Sequence, residues 1–229
     1  MHTTPLSTGE LVKLVASRAI LAFAALSAMF FLPAGTLAYW EAWMYIIGLF
    51  IPMMFIMFYL VKNDPELLVR RMQMRERETQ QKRIVMFSYL YILLVFTLPG
   101  FDQRFGWSDV PAAVAIAAEI VVLFGYGLVF LVFRENTYAS RIIEVVAEQK
   151  VIQSGPYAIV RHPMYLGVTL MYIFSPLALG SYWAVLPALL VLPILVARIR
   201  NEETVLARDL PGYPAYMQKT RHRLIPGIW

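Results

Sequence analysis

Residues 40–61 read WEAWMYIIGLFIPMMFIMFYLV, and this stretch carries a single charge, Glu41. A helix needs about 20 predominantly apolar residues to cross the hydrocarbon core of a bilayer. The stretch has that length, and Trp40 and Trp43 at its start are residues typical of the membrane interface. It therefore predicts a transmembrane helix, and an all-α membrane fold for the chain.

Five further stretches have a comparable apolar character, which gives six predicted spans. Composition agrees, since 59% of the 229 residues are hydrophobic, against roughly 45–50% in soluble domains. The last two spans are short and contain Pro176, Pro187 and Pro193, which bend membrane helices. A five-span arrangement is the alternative. The six spans cover residues 17–38, 40–61, 84–101, 111–133, 163–180 and 182–198.

Lys and Arg residues favour cytoplasmic loops, so their distribution predicts orientation. With six spans, nineteen of the 20 basic residues fall on one side and Arg104 falls on the other. We therefore expect both termini in the cytoplasm. The first apolar run follows Arg18 without a signal-peptide cleavage pattern, so we expect it to be retained. Because the basic excess is spread over loops, it indicates topology and not nucleic-acid binding.

The chain reads as one domain in two parts. Residues 1–133 contain four spans and a basic loop, 62–83, which we expect to contact anionic membrane lipids. Residues 134–229 contain a helical hairpin, a cytoplasmic tail and most of the candidate chemistry. The absence of cysteine excludes disulfides, thiolate metal sites and catalysis through sulfur. The three histidines lack metal-ligand spacing, so no metal is expected.

The stretch GPYAIVRHPMYLG, residues 155–167, precedes and enters the fifth span. Gly155-Pro156 predicts a turn, and Pro163 suits the first turn of a helix. The free N–H groups of that helix start would lie beside Arg161 and His162, which suits an anionic or hydrogen-bonding ligand. An interfacial anchor, with Arg and His facing lipid headgroups, is the alternative.

The end of the sixth span carries a second polar cluster. Arg198 and Glu202 are four residues apart and share a helix face, so an ordinary surface pair is one interpretation. Glu202 and Glu203 repel each other, however, and their burial requires compensation, which a cationic ligand would supply. The hairpin of spans brings this cluster to the same membrane face as residues 155–167. A zwitterionic, sulfonium-bearing molecule would satisfy both clusters.

Glu119 is an acid inside the fourth span. An ionisable residue in that environment is a functional candidate by default. A structural partner within the bundle is the alternative.

The pairing of GPYAIVRHPMYLG with RIRNEETVL and GYPAYMQKTRHRLIPGIW resembles the isoprenylcysteine carboxyl methyltransferase family, which is related to the phospholipid methyltransferases. NDPELLVRRM, residues 63–72, is similar to a segment common in bacterial members, so the resemblance implies a prokaryotic cytoplasmic membrane. It also implies S-adenosylmethionine as cofactor, bound on the cytoplasmic side. One departure is Gln149, where many members have histidine, since glutamine cannot titrate.

The resemblance implies particular roles for individual residues. Arg198 would face the substrate, and Arg198 and Glu202 would be the catalytic pair. The cofactor contacts would be Gln149, Lys150, Val151, Ile152, Tyr157, His162, Pro163, Met164, Tyr165 and Glu202.

We therefore expect a membrane methyltransferase with a lipophilic acceptor that enters from the bilayer. A carboxylate such as a prenylcysteine α-carboxyl is already nucleophilic at neutral pH and would need only orientation by Arg198. An amine would need a base, for which Glu202, Glu203 or Glu119 are candidates. The rival hypotheses are an NADPH-dependent reductase of the sterol-reductase type and a non-catalytic lipid-binding scaffold.

Overall fold

The computed structural model describes residues 8–72, 79–139, 145–146 and 148–229. These residues form nine α-helices and a 3₁₀ turn at Gly155–Ala158, with no strand among them. The predicted all-α fold is confirmed. The helices are α1 Thr8–Ala34, α2 Trp40–Asn63, α3 Pro65–Met72, α4 Thr79–Phe105, α5 Ala112–Glu135, α6 Pro163–Ala178, α7 Val185–Ala188, α8 Val191–Asp209 and α9 Tyr213–Lys219.

Three of the described helices, α1, α2 and α5, are long and apolar enough to cross a membrane. Helix α6 is apolar but shorter, at 16 residues. This pattern agrees with a polytopic membrane protein, whereas the number of spans and their orientation stay predictions. Helices α1 and α2 are connected around Gly35, whose φ of 67° is left-handed. Trp43 closes the connection by donating its Nε1–H to the Leu37 carbonyl over 2.9 Å.

The predicted sixth span, 182–198, is not one continuous helix. The structure divides it into α7 and the first part of α8, which are joined at residues 189–190. Pro187 and Pro193 lack the N–H that a regular helix requires. The chain instead makes tighter bonds there, from Leu190 N–H to the Pro187 carbonyl and from Leu192 N–H to the Leu189 carbonyl, each 3.1 Å. Helix α8 also continues past residue 198 to Asp209. Glu202 and Glu203 therefore lie on the helix beyond its apolar first part.

Helices α5 and α6 pack against each other at two glycines. A Cβ added to Gly125 would lie 2.7 Å from the Gly167 carbonyl oxygen, and a Cβ added to Gly167 would lie 2.7 Å from that of Gly125. Only glycine permits backbones to approach so closely. The contact fixes α6, and with it the start of α6, relative to the end of α5.

The predicted basic loop 62–83 contains a helix of its own. Helix α3 follows α2 after a break at Asp64, and Leu67 and Leu68 are fully buried in the protein. Residues 73–78, which include the predicted lipid-contacting Arg75 and Arg77, lie outside the described part of the chain.

Candidate functional site

The corner before α6 has the predicted geometry. Gly155, with a φ of 55°, opens the 3₁₀ turn Gly155–Ala158, and an added Cβ there would meet the Glu135 side chain at 3.1 Å. Pro163 is the first residue of α6 and His162 precedes it. Proline costs no hydrogen bond at that position because the first N–H groups of a helix lack intrahelical acceptors. The turn and the helix start predicted from residues 155–167 are confirmed.

The C-terminal tail returns to this corner. Gly212, in the left-handed region with a φ of 87°, allows the chain to turn from α8 into α9. Beyond α9, the backbone N–H of Arg161 donates to the His222 carbonyl and that of His162 to the Arg223 carbonyl, each over 2.9 Å. These two bonds join the corner to the C-terminal tail.

Glu203 lies at the centre of a buried ion cluster. Its Oε1 accepts from Arg161 Nε at 2.6 Å and lies 3.2 Å from His162 Nε2, while Oε2 accepts from Arg223 Nε at 2.7 Å. Burial alone would raise the pKa of Glu203, but hydrogen bonds from His162, Arg161 and Arg223 outweigh it and lower the pKa from 4.5 to about 2. The expectation that this carboxylate requires a cationic ligand is wrong, because the chain supplies the cations itself.

Arg198 and Glu202 are linked through Tyr165. Arg198 Nε donates to the Tyr165 hydroxyl at 2.9 Å, and that hydroxyl donates to Glu202 Oε2 at 2.6 Å. The other carboxylate oxygen, Oε1, lies 3.9 Å from His162 Nδ1. The arrangement ties α8 to the first turn of α6 and is more than the surface pair that four-residue spacing alone suggests.

One cavity lies between these elements. Every residue that the sequence assigned to the site lines it: Gln149, Lys150, Val151, Ile152, Tyr157, His162, Pro163, Met164, Tyr165, Arg198 and Glu202. Eight further lining residues were not assigned from the sequence: Asn136, Tyr138, Ala139, Arg161, Leu206, Leu210, Tyr213 and Tyr216. Of these, Arg161, Leu206, Tyr213 and Tyr216 belong to the quoted motifs, and this membership was the signal that could have found them. Asn136, Tyr138 and Ala139, which follow α5, belong to no quoted motif, so nothing in the sequence assigned them to the site.

The cavity walls combine charge with apolar surface. Arg198, Glu202 and Arg161 are charged, whereas Val151 and Met164 contribute apolar surface. Such a lining suits a ligand with several polar groups and an apolar or aromatic part.

Residues 113–210 match the family model of phospholipid methyltransferases. The chain has no match among curated proteins. The match supports a membrane methyltransferase with a lipid-type substrate, and its superfamily includes the isoprenylcysteine carboxyl methyltransferases. The match runs from the start of α5 to the end of α8, so it includes both the corner before α6 and the helix that carries Arg198 and Glu202. The cavity therefore lies mainly within the part of the chain that resembles phospholipid methyltransferases.

Tyr157 is held at both its hydroxyl and its carbonyl. Asn136 Nδ2 donates to its hydroxyl at 2.8 Å, and the Tyr216 hydroxyl donates to its carbonyl at 2.8 Å. Burial raises the pKa of Tyr157 well above its ordinary range, and burial raises that of Tyr216 to about 12. Both phenols are therefore neutral at physiological pH and serve as hydrogen-bonding groups.

Gln149 is engaged in the local backbone. Its Oε1 accepts from Val146 N–H at 3.1 Å, and its own N–H donates to the Val146 carbonyl at 3.1 Å. The side chain thus closes a turn at the rim of the cavity. This is a hydrogen-bonding role that glutamine can fill without titrating.

Glu119 lies within the matched region but away from the cavity. Glu119 lies 17 positions before Asn136, which follows α5 and lines the cavity. At 1.5 Å per residue, Glu119 is therefore about 25 Å from the end of α5 that borders the cavity. Its carboxylate packs against Gly48 of α2, and neither oxygen is hydrogen-bonded to a described group. At this distance Glu119 cannot be the base for a reaction in the cavity.

Proposed function

We propose that this protein is an integral membrane methyltransferase that transfers a methyl group from S-adenosylmethionine to a lipophilic acceptor. The observation that carries the proposal is a cavity lined by residues of both motifs, among them His162, Arg198 and Glu202. The phospholipid methyltransferase match over residues 113–210 supports the same reaction class. The basic residue distribution supports a cavity on the cytoplasmic side of the membrane.

The residues present fit this cofactor. Its ammonium and sulfonium groups are cationic, and Glu202 is a cavity carboxylate that the Glu203 ion cluster leaves available. Its carboxylate would be held by Arg161 or by the N–H groups that begin α6. Val151 and Ile152 would contact the adenine. When bound, S-adenosylmethionine supplies a methyl carbon that a nucleophile attacks in line, so that the bond to sulfur breaks as the new bond forms and a neutral thioether leaves.

The chain's contribution to such a displacement is position and exclusion of water. The nucleophile, methyl carbon and sulfur must be collinear, and holding them so supplies much of the rate enhancement. Tyr165 fixes Arg198 and Glu202 relative to each other through its hydroxyl. The buried Tyr213 and Tyr216 line the cavity from the C-terminal tail.

We propose a carboxylate as the acceptor, of the prenylcysteine α-carboxyl type. Arg198 can bind and orient a carboxylate, which needs no deprotonation. An amine acceptor needs a base, and two of the candidate bases are unsuitable. Glu203 is already engaged by Arg161, Arg223 and His162 and has a pKa of about 2, and Glu119 is remote. Glu202 would then be the base, so the phospholipid amine that the family match suggests is the second candidate.

Binding of S-adenosylhomocysteine by the purified protein tests the cofactor. We expect Glu202→Gln and His162→Ala each to weaken that binding by about tenfold, because each removes one interaction worth about 1.5 kcal/mol. Glu66→Gln is the matched control, since the Glu66 side chain is 86% exposed and belongs to α3. NADPH is the ligand for the reductase alternative. Stabilisation by NADPH with no effect of S-adenosylhomocysteine would overturn the proposal.

Transfer of radiolabelled methyl groups to a membrane extract tests the acceptor. A base-labile, volatile label is the signature of a methyl ester and would support the carboxylate. A base-stable label in a phospholipid fraction would identify an amine and make Glu202 the base.

A further inference from the structure

Helix α3 is the part of the recognised sequence pattern that the cavity does not explain. It lies within residues 63–72, NDPELLVRRM, yet no described residue of α3 lines the cavity. Asp64 begins the helix by accepting from Leu67 N–H through Oδ1 at 2.9 Å, as an N-cap side chain does. Leu67 and Leu68 anchor the helix in a buried cluster that also contains Ala139. The charged side chains of α3, and that of Asp64 before it, are not part of that cluster.

Three of these charged side chains contact the segment that follows α5. The Thr137 hydroxyl donates to Asp64 Oδ2, and Arg70 Nη2 donates to the Thr137 carbonyl at 2.6 Å. Arg71 Nη1 donates to the Ala139 carbonyl at 3.3 Å. The contacted segment is a wall of the cavity, because Ala139 lines it.

Arg71 also contacts a second wall. Its Nη1 lies 3.6 Å from Met164 Sδ in the first turn of α6, and its guanidinium carbon lies 4.8 Å from the centre of the Phe133 ring. Its positive charge acts on the Tyr157 phenol as well. The Arg71 guanidinium thus contacts the end of α5 and the start of α6, and both of these border the cavity.

We propose that α3 is a clamp that sets the width of the cavity, with Arg71 as its positioning residue. Arg71 holds Ala139 and Met164 at a fixed separation without touching the ligand. The expected effect of Arg71 on ligand binding rests on the proposed function, whereas its expected effect on the position of the cavity wall does not. The planar guanidinium suits the task, because it can donate in two directions while its face covers an aromatic ring.

The absence of cysteine from the natural chain allows a readout that needs no cofactor. In an Ala139→Cys variant the engineered thiol is the sole thiol in the 229 residues. Ala139 is only 7% exposed, so alkylation by a membrane-impermeant maleimide should be slow. Adding Arg71→Ala should accelerate it about tenfold, since local opening becomes easier by about 1.4 kcal/mol. Ile159→Cys, at a position that is 62% exposed, gives the rate of an unprotected thiol.

Variants on the same helix separate positioning from stability. Arg71→Lys keeps the charge and one donor and should restore most of the protection. Glu66→Ala, on the exposed side of α3, should leave the thiol rate unchanged. In the chain without added cysteine, Arg71→Ala should weaken S-adenosylhomocysteine binding about tenfold, consistent with the loss of charged hydrogen bonds.

The outcomes distinguish this proposal from the proposed function. A faster thiol reaction in Arg71→Ala, with no S-adenosylhomocysteine binding by the unmodified protein, supports the clamp and overturns the cofactor assignment. An unchanged thiol rate together with unchanged affinity overturns the clamp, whatever the unmodified protein binds. A lower thermal midpoint in Arg71→Ala with both readouts unchanged also overturns it, because Arg71 would then serve stability alone.

Discussion

Arg161 and Glu203 form a buried ion pair, with Nε and Oε1 2.6 Å apart, that joins the corner before α6 to the middle of α8. The same guanidinium donates through Nη1 to the carbonyls of Thr220 and Arg221, each at 2.8 Å. A buried pair of this kind is stable only when its remaining donors and acceptors are also satisfied. Here the tail satisfies Nη1, so the corner, the helix and the tail form one structural unit.

The pH dependence of stability should report this ion cluster. The pKa of Glu203 is lowered from 4.5 to about 2 in the folded protein. A lowered pKa contributes stability that is present above the ordinary value and is lost as pH falls through the folded value. Glu203→Gln should therefore be less stable than the unmodified protein at pH 7, by on the order of 3 kcal/mol.

The difference should disappear between about pH 4.5 and pH 2, where Glu203 becomes protonated. Chemical unfolding in mild detergent at pH 7, 4 and 2.5 measures it. A difference that stays constant over this range would show that the cluster does not depend on the carboxylate charge. Glu66→Gln is the comparison for the general effect of removing an acid.

Tyr165→Phe should weaken cofactor binding with little change in folding. The substitution keeps the ring and removes the hydroxyl that connects Arg198 Nε with Glu202 Oε2. Arg198 and Glu202 then lose their shared hydrogen-bond partner, and we expect S-adenosylhomocysteine affinity to fall about fivefold to tenfold. Isothermal titration gives the affinity and a thermal melt gives the stability. Tyr182→Phe, where the side chain is 47% exposed, should change neither.

Helix packing can be tested at two glycines of α5 that differ in surroundings. Gly125→Ala places a Cβ 2.7 Å from the Gly167 carbonyl oxygen, whereas a Cβ at Gly127 meets nothing within 4 Å. The first substitution should lower the free energy of unfolding by about 1–3 kcal/mol, the usual cost of overpacking. Gly127→Ala should be neutral or slightly stabilising, because alanine favours the helix. Equal effects of the two substitutions would contradict the close α5–α6 contact.

Glu119 and Gly48 provide a test of α2 packing. A Cβ on Gly48 would overlap the Glu119 carboxylate, so Gly48→Ala should destabilise the protein. Glu119→Ala removes the obstructing group, so the double variant should be more stable than the sum of the two single effects predicts. Thermal melts of all four proteins give the coupling energy, which should be about 1 kcal/mol or more for residues in contact. Strict additivity would mean that Glu119 does not occupy this space.

The sequence predicted the fold class and the meeting of the two polar clusters for a simple physical reason. Apolar length requires helices in a bilayer, and a hairpin of helices returns its ends to one side. Pro163 and Gly155-Pro156 have strong local preferences, so the corner was predictable at the level of single residues.

Other features depend on contacts that sequence spacing does not contain. Four-residue spacing places Arg198 and Glu202 on one face, but it cannot show that Tyr165 from another helix lies between them. The compensation of Glu203 by Arg223 depends on the path of the tail. The break in the predicted sixth span arises from two prolines in combination, because each one alone is tolerated in membrane helices.

The backbone bonds from Arg161 and His162 to residues 222 and 223 have a consequence for biosynthesis. The corner that lines the cavity is held by residues that leave the ribosome some sixty positions after it. The spans can insert into the bilayer before those bonds exist, so the pocket is completed after insertion and not during it. A nascent chain arrested before residue 220 would be a membrane protein with an unfinished pocket, and competence to bind a ligand would begin only when the tail docks.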